Sequence, residues 1–395
     1  MKLKLIFVFV VLPTVILNAQ LSSFDYNGYA KYLFSSSKSS LLNDRLNDHL
    51  IHSRFNTKWY ATDAITAALE LRFRAFYGES VEKIPNFKEF IQTPRDYVDL
   101  DVLLWESEKS IGYLEIDRLW LDWYTQDLQV TVGRQRVAWG TAWVWNPTDI
   151  FNPLDVLDFD YEERPATDAI RLQYYTGAVT KLDLAYTPAK DPAKQILAGL
   201  WSINKWNYDF NFIAGMRFKR WLTGFSWAGD ILNAGFRGEV LVSQAPNKPD
   251  TNSVYIALGE SSLSSSENSI VSVSLSGDYT FPNTFYIHTE ILYNNNGKAA
   301  NTFLFLSEAY KLGMLTAARW SVYQEFAYDI TPLLRGTLFG IFNPDDKSFV
   351  FIPSLSYSII TNLDAFLIGM FFNGDQLTEF GEYGTTLYFR LKYSF

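Results

Sequence analysis

The chain has 395 residues, carries no cysteine, and holds 24 Tyr, 31 Phe and 12 Trp, yet its mean hydropathy stays near zero at −0.06. With 34 cations against 43 anions its formal charge is −9, which excludes the basic footprint a nucleic-acid partner needs, and the missing cysteines exclude disulfides and thiol chemistry. Apolar residues recur with period two almost throughout, which favours one large all-β domain over helical ones.

The N-terminus reads as an address. Lys2 and Lys4 precede an apolar run from Leu5 to Leu17, interrupted by Pro13, and Leu17-Asn18-Ala19 forms a small-residue cleavage site before Gln20. Such a run is too short to span a bilayer as a helix, which takes about 20 residues. Residues 1–19 are therefore expected to be a removed secretory signal, leaving 20–395 as a single domain. Losing Lys2 and Lys4 from 34 cations leaves 32 against 43 anions, a net charge of −11. No later window holds 18 uncharged apolar residues.

From there the strands alternate. Phe24, Tyr26, Gly28, Ala30 and Tyr32 share one face of the first, and Ile51, Phe55 and Trp59 oppose His52, Arg54 and Lys58 in the second. In the third, Ile65, Ala67, Leu69, Leu71 and Phe73 oppose Glu70, Arg72 and Arg74. One apolar and one charged face suits either a sandwich strand or a membrane-barrel strand. The connections separate the two. Tight turns near Thr62-Asp63, Thr125-Asp127, Thr176-Gly177, Pro282-Asn283, Thr331-Pro332 and Thr361-Asn362 alternate with polar loops at 35–48, 78–110, 136–166, 243–268, 295–317 and 374–382. That rhythm predicts a transmembrane antiparallel up-and-down β-barrel. Short turns at both Lys219-Arg220 and Gly229-Asp230 break the parity. Trp221 to Val242 as one bulged strand gives about 16 strands, and an extra strand over Lys194 to Ser202 gives about 18.

The last stretch alternates Thr385, Leu387, Phe389, Leu391, Tyr393 and Phe395 against Thr386, Tyr388, Arg390, Lys392 and Ser394, and the chain stops on the phenylalanine. It resembles the C-terminal strand of bacterial outer-membrane proteins, whose terminal aromatic is read by the barrel assembly machinery. That resemblance implies a Gram-negative outer membrane, with its lipid and lipopolysaccharide as surroundings. Trp59-Tyr60, Trp123-Tyr124 and Trp221, at strand ends, suit interfacial aromatic girdles.

The segment from Gly133 to Asp168 departs from all this. After the short alternation of Leu128, Val130 and Val132 against Gln129, Thr131 and Gln135 come Trp139, Trp143 and Trp145, then Asn146-Pro147-Thr148-Asp149 and Asn152-Pro153-Leu154-Asp155. Each N-P-x-D favours a tight turn or a helix start, because Pro fixes φ and Asn and Asp cap the backbone. The segment is too apolar for a solvated loop. Arg134, Arg136, Asp149, Asp155, Asp158 and Asp160 cannot face lipid cheaply, since a charge at the bilayer midplane costs roughly 2–4 kcal/mol. The placement that satisfies both is the lumen: an inward fold-back over 134–166, after the fifth strand, in which Arg134 or Arg136 pairs with Asp149 or Asp155 and the tryptophans, with Asn152, line a constriction. The competing reading is that it only props the wall.

Val132-Gly133-Arg134-Gln135, Trp139-Gly140 and Asn152-Pro153-Leu154-Asp155 resemble the signature of a family of Gram-negative outer-membrane proteins catalogued as a domain of unknown function, with G-R-Q, then W-G, then N-P-x-D. Some members are encoded beside efflux-type transporters of hydrophobic compounds. The likeness covers about 35 residues, and this chain carries N-P-x-D twice.

Signals for chemistry are few. His49 and His52 stand three apart, and on a strand such residues face opposite ways, so no metal is expected. A wall enzyme needs His288 beside a nucleophile among Ser272, Ser274 and Ser276, and nothing marks one of them. Neither catalytic residues nor a cofactor are expected. Three functions remain: a channel for small apolar or amphipathic solutes, a general porin for polar ones, and a non-conducting barrel that anchors or modifies lipid. The aromatics of Trp139 to Tyr161 favour the first; Arg72, Arg74, Arg237, Glu239, Arg390 and Lys392, all at inward positions, favour the second.

Overall fold

The structure, a computed structural model, describes residues 23–38, 44–91, 97–153, 163–245 and 269–395. The expected signal segment and Asp155, Asp158, Asp160 and Tyr161 lie outside these.

The chain forms strands β1 (Ser23–Lys38), β2 (Arg45–Thr62), β3 (Ile65–Gly78), β4 (Asp101–Glu106), β5 (Ser110–Tyr124), β6 (Leu128–Gln135), β7 (Thr167–Gly177), β8 (Thr180–Thr187), β9 (Ile196–Lys205) and β10 (Tyr208–Arg217). There follow β11 (Arg220–Ile231), β12 (Ala234–Gln244), β13 (Ser269–Thr280), β14 (Tyr286–Asn294), β15 (Trp320–Thr331), β16 (Leu334–Phe342), β17 (Phe349–Ile360), β18 (Leu363–Asn373) and β19 (Thr385–Ser394). Every pairing is antiparallel between sequence neighbours, except that β3 bonds to β5 past β4, and β1 bonds to both β2 and β19. The result is a closed barrel of 18 strands. At its seam, Gly28 and Phe395 exchange both backbone hydrogen bonds, each 3.0 Å.

β4 is the odd strand. It pairs with residues 111–115 of β5, along the edge whose lower part, residues 119–124, is taken by β6. It thus continues the wall where β6 has ended and the chain has left the sheet.

Period two decides which face is which, and here the usual order is inverted. On β5, Leu119, Leu121 and Trp123 are 45, 50 and 44% exposed, while Asp122 is 8% and Glu115 2% exposed. On β3, Glu70 and Arg72 are buried between half-exposed apolar neighbours. An apolar outside and a polar inside is what a bilayer demands of a closed sheet.

The strand count is 18, the second of the two alternatives, with β9 as the additional strand. Two expectations need correction. The connections are Phe218–Lys219 and Leu232–Asn233, so Gly229 and Asp230 lie within β11. All four turn residues have positive φ, between 52° and 68°, the geometry of a two-residue hairpin turn reached without glycine. Residues 35–38 and 45–48, read as polar loop, belong to β1 and β2.

Candidate functional site

The segment between β6 and β7 is held inside the barrel by two carboxylates of the wall. Glu239 is the central residue of β12 and Glu290 that of β14, and both are fully buried on the inward face. One Glu239 oxygen accepts from the backbone N–H of Thr141 and of Ala142 and from the Thr141 hydroxyl; the other accepts from the Thr148 N–H and hydroxyl. Glu290 accepts from the N–H groups of Val144 and Trp145 and from Ser274 Oγ. An irregular segment carries many unpaired N–H donors, and buried donors left without acceptors each cost about 1–3 kcal/mol, so these acids supply what a strand partner would.

Packing does the rest. Val137, Trp139, Ile150 and Phe151 cluster with the inward Ala185, Leu200, Ile213 and Leu241. Val144 and Trp145 cluster with Leu292, Tyr323, Ile352 and Met370 on the far wall. The segment therefore crosses the lumen at mid-height, with one end seated on the inner faces of β7 to β12 and the middle on those of β14 to β18.

Local chemistry folds it. Asp149 N–H donates to Asn146 O at 3.0 Å, closing the first N-P-x-D as a tight turn, and Asn152 Oδ1 accepts from Val137 N–H at 3.0 Å, tying the end to the beginning. Gly140 lies against Asn146: a Cβ there would stand 2.2 Å from Oδ1, so only glycine fits after Trp139. Asp149 bonds to Arg164. Burial pushes its carboxyl up to about 6, with Arg164 opposing the shift.

Among the described residues Asp149 pairs with neither Arg134 nor Arg136, although its charge acts on Arg136. Arg134 bonds to Asp168 at 2.8 Å, not to Asp149, and also donates to Ile116 O and Val98 O. Register explains this. Arg134 stands opposite Leu119 and Asp168, two positions along from the exposed Val132, hence on the outward face, where the chain leading into β4 covers it. Gln135 takes the inward position, and Arg136 is exposed. Arg134 is a clasp where β5, β6, β7 and the approach to β4 meet.

The tryptophans also divide. Trp139 and Trp145 are 4 and 3% exposed; Trp139 Nε1 donates to Asp183, and its ring meets Phe151 edge to face at 5.0 Å. Trp143 is 56% exposed, with Arg237 4.9 Å over its ring and its Nε1 3.3 Å from Asp278.

Opposite lies a charged wall that sequence patterning marked only in part. Arg54 on β2 meets Glu70, Asp117 (2.7 Å) and, at the end of the crossing segment, Glu163 (2.6 Å). Asp117 is the residue skipped at a bulge in β5, which no pattern announced. These three carboxylates converge as a metal site would, but on a guanidinium. Arg72 pairs with Glu115, and Lys31 and Arg390 are buried nearby in the wall.

His49 and His52 do lie on opposite faces of β2, each beside a tyrosine, Tyr32 and Tyr29. His288 Nε2 is 3.0 Å from Ser276 Oγ and its Nδ1 3.7 Å from Glu325. This has the distances of a serine–histidine–acid arrangement, but Ser276 is 1% exposed, and Glu290 shares the same Nε2 at 3.5 Å. The group braces Glu290.

No protein-family model matches the sequence, and comparison with curated proteins gives no match. Solved structures do resemble it. OccAB3 of Acinetobacter baumannii superposes with a TM-score of 0.57 at 8% identity, over 94% of this chain and 99% of that one. OccAB4 of the same organism gives 0.57 at 10%, over 95 and 99%. The outer membrane protein opdK of Pseudomonas aeruginosa gives 0.54 at 9%, over 94 and 99%. The likeness is one of fold, that of a closed antiparallel β-barrel.

Proposed function

We propose that the protein is an outer-membrane channel passing small apolar or amphipathic solutes through a lumen narrowed by residues 134–166. The observation that carries this is the crossing segment itself, fixed at mid-height to Glu239 and Glu290 and presenting Trp143 and its backbone opposite the charged wall of β1, β2, β3, β5 and β19. A passage lined by an exposed aromatic ring and by charged groups suits solutes that have both an apolar and a polar part. The fold shared with a neighbour described as an outer membrane protein supports the location. Within this reading residues 1–19 are the export signal, Phe395 is the assembly signal, and the lipid-facing band meets outer-membrane lipid and lipopolysaccharide. Trp139-Gly140 and the first N-P-x-D, Asn146 to Asp149, are the core of the narrowing segment, whereas G-R-Q ends the strand that leads into it.

The charged wall also favours a general porin for polar solutes, and one experiment separates the two. Single-channel conductance in planar bilayers is measured for the parent and for Trp143→Ala, together with uptake of an amphipathic solute and of a sugar by proteoliposomes. Higher conductance with slower amphipath uptake in the variant supports the proposal. Faster sugar than amphipath uptake by the parent replaces it with the polar porin, and unchanged conductance in the variant removes Trp143 from the constriction.

A further inference from the structure

At the long-loop end of the barrel stands a cation with no ion-pair partner among the described residues. Arg217, the last residue of β10, points inward, with the Phe218 ring 4.5 Å from the guanidinium carbon. Its Nε is shut off from solvent with no acceptor, and among the described residues no carboxylate lies within ion-pair distance. Arg54, Arg72 and Arg134, by contrast, each meet an acid. Taking a guanidinium out of water without a partner is costly, and such a group persists where something else meets its charge.

What it faces are two cavities. The first, about 310 Å³, is walled by Trp145, Leu306, Met314, Ile341 and Phe380; the second, about 300 Å³, by Tyr97, Phe151, Asn152, Ala189 and Lys194. Arg217, Pro153 and Tyr310 line both, so the guanidinium sits at their junction. Gly313, with φ of 77°, makes room for it: a Cβ there would stand 3.2 Å from Nη1. The nearby acids are each engaged: Asp149, whose charge reaches Arg217, is paired with Arg164. Asp168 in the second cavity is held by Arg134. Glu379 in the first is buried, hydrogen-bonded to Asn343, and kept largely protonated at neutral pH, its carboxyl pushed up to about 8 by that burial.

We propose that this junction is a binding site for a small organic anion with an apolar body, a monocarboxylate whose head meets Arg217 and whose chain lies against Trp145, Leu306 and Phe380. The inference rests on the channel reading only for its purpose, as the outer subsite a solute meets before the narrowing segment; the binding itself stands apart. Medium-chain amphipaths are the right size for a cavity of this volume, and a single guanidinium among apolar walls selects charge sign as well as shape.

The test uses the purified full-length barrel in detergent, with octanoate as the probe and octan-1-ol and octylammonium as controls, followed by isothermal titration calorimetry. Arg217→Met keeps the chain length without the charge and serves as the blank for micelle partitioning; Arg217→Lys restores charge, and gel heat-modifiability confirms that each variant is folded. Octanoate binding at least tenfold tighter than either control, lost in Arg217→Met and partly kept in Arg217→Lys, is expected. Equal binding to parent and Arg217→Met, or octan-1-ol binding as tightly as octanoate, overturns the site. Proteoliposome uptake of octanoate is read separately: binding without uptake leaves the site and removes the channel, whereas uptake unchanged by Arg217→Met leaves the channel and removes the site.

Discussion

The carboxylate of Glu239 accepts from Thr148 twice, from its backbone N–H at 2.9 Å and from its hydroxyl at 2.7 Å, with both residues fully buried at the centre of the barrel. The same acid holds Thr141 and Ala142, so one side chain closes both ends of an eight-residue stretch onto the wall. Hydrogen bonds to a charged acceptor contribute about 1.5–3 kcal/mol, and removing the acceptor strands several donors at once. Glu239→Ala is expected to free the crossing segment while leaving the strands paired. Protease cleavage within 136–166 should then appear in the folded barrel, with a higher single-channel conductance. Glu239→Gln, which keeps one acceptor but turns an amide N–H toward a donor, should fall between. Uncleaved, unaltered barrels in both variants would show that packing alone fixes the segment.

Neither Glu239 nor Glu290 could be singled out as an anchor from the sequence, and the reason is general to this fold. Period two reports that a residue points inward, so Glu239 was legible as a lumen charge, but not that a segment 91 to 98 residues earlier would offer it donors. The barrel, its membrane-facing band and the odd segment were legible because each depends on local alternation or its failure. The hairpin turns at Phe218–Lys219 and Leu232–Asn233 were legible only to within a few residues, because Phe218, Lys219 and Leu232 seldom adopt the positive φ they carry there. The partners of Arg134 were missed for a related reason. Alternation from Thr131 would carry Arg134 to the outside, and only the chain before β4, placed there by tertiary structure, makes that position habitable for a charge.

That placement makes a prediction for Arg134. Breaking a buried ion pair by removing one member leaves the other uncompensated, at about 3–5 kcal/mol when burial is deep. Arg134→Ala is expected to loosen the junction of β4 with β6 and β7, seen as a lower temperature of heat modification on gels, with conductance unaltered. A double change, Arg134→Ala with Asp168→Ala, should recover part of the loss because no lone charge remains. If the single change raises conductance instead, Arg134 acts on the lumen after all.

At the seam, Gly28 and Phe395 close the barrel through paired backbone bonds, and the Phe395 ring lies 6.5 Å from that of Phe55. Deleting Phe395 removes both bonds and the ring contact at the last pair of the β1–β19 ladder. Assembly into outer membrane is expected to drop, measured as the heat-modifiable fraction, while conductance per assembled barrel stays at the parent value. Full assembly of the truncated chain would separate the terminal aromatic from both roles.

The last prediction concerns pH and the loop over 374–384. Glu379 accepts from Asn343 Nδ2 at 3.0 Å, its own N–H donates to Asp346 at 2.8 Å, and Asn343 is fully buried. Burial, reinforced by the Asp346 charge, raises the carboxyl from an ordinary 4.5 to about 8. A carboxyl raised on folding binds its proton more tightly in the closed loop than in the open one. Its contribution is therefore complete below pH 4.5 and is lost as pH rises toward and through 8. Protection factors from hydrogen exchange in 374–384, corrected for intrinsic rates, should fall across that interval in the parent. In Glu379→Gln, where the group is neutral at every pH, they should stay level. Because Glu379 also lines the cavity beside Arg217, ionising it places a negative charge there, and octanoate affinity should fall over the same interval in the parent but not in the variant. An equal decline in both proteins would assign the pH dependence to another group.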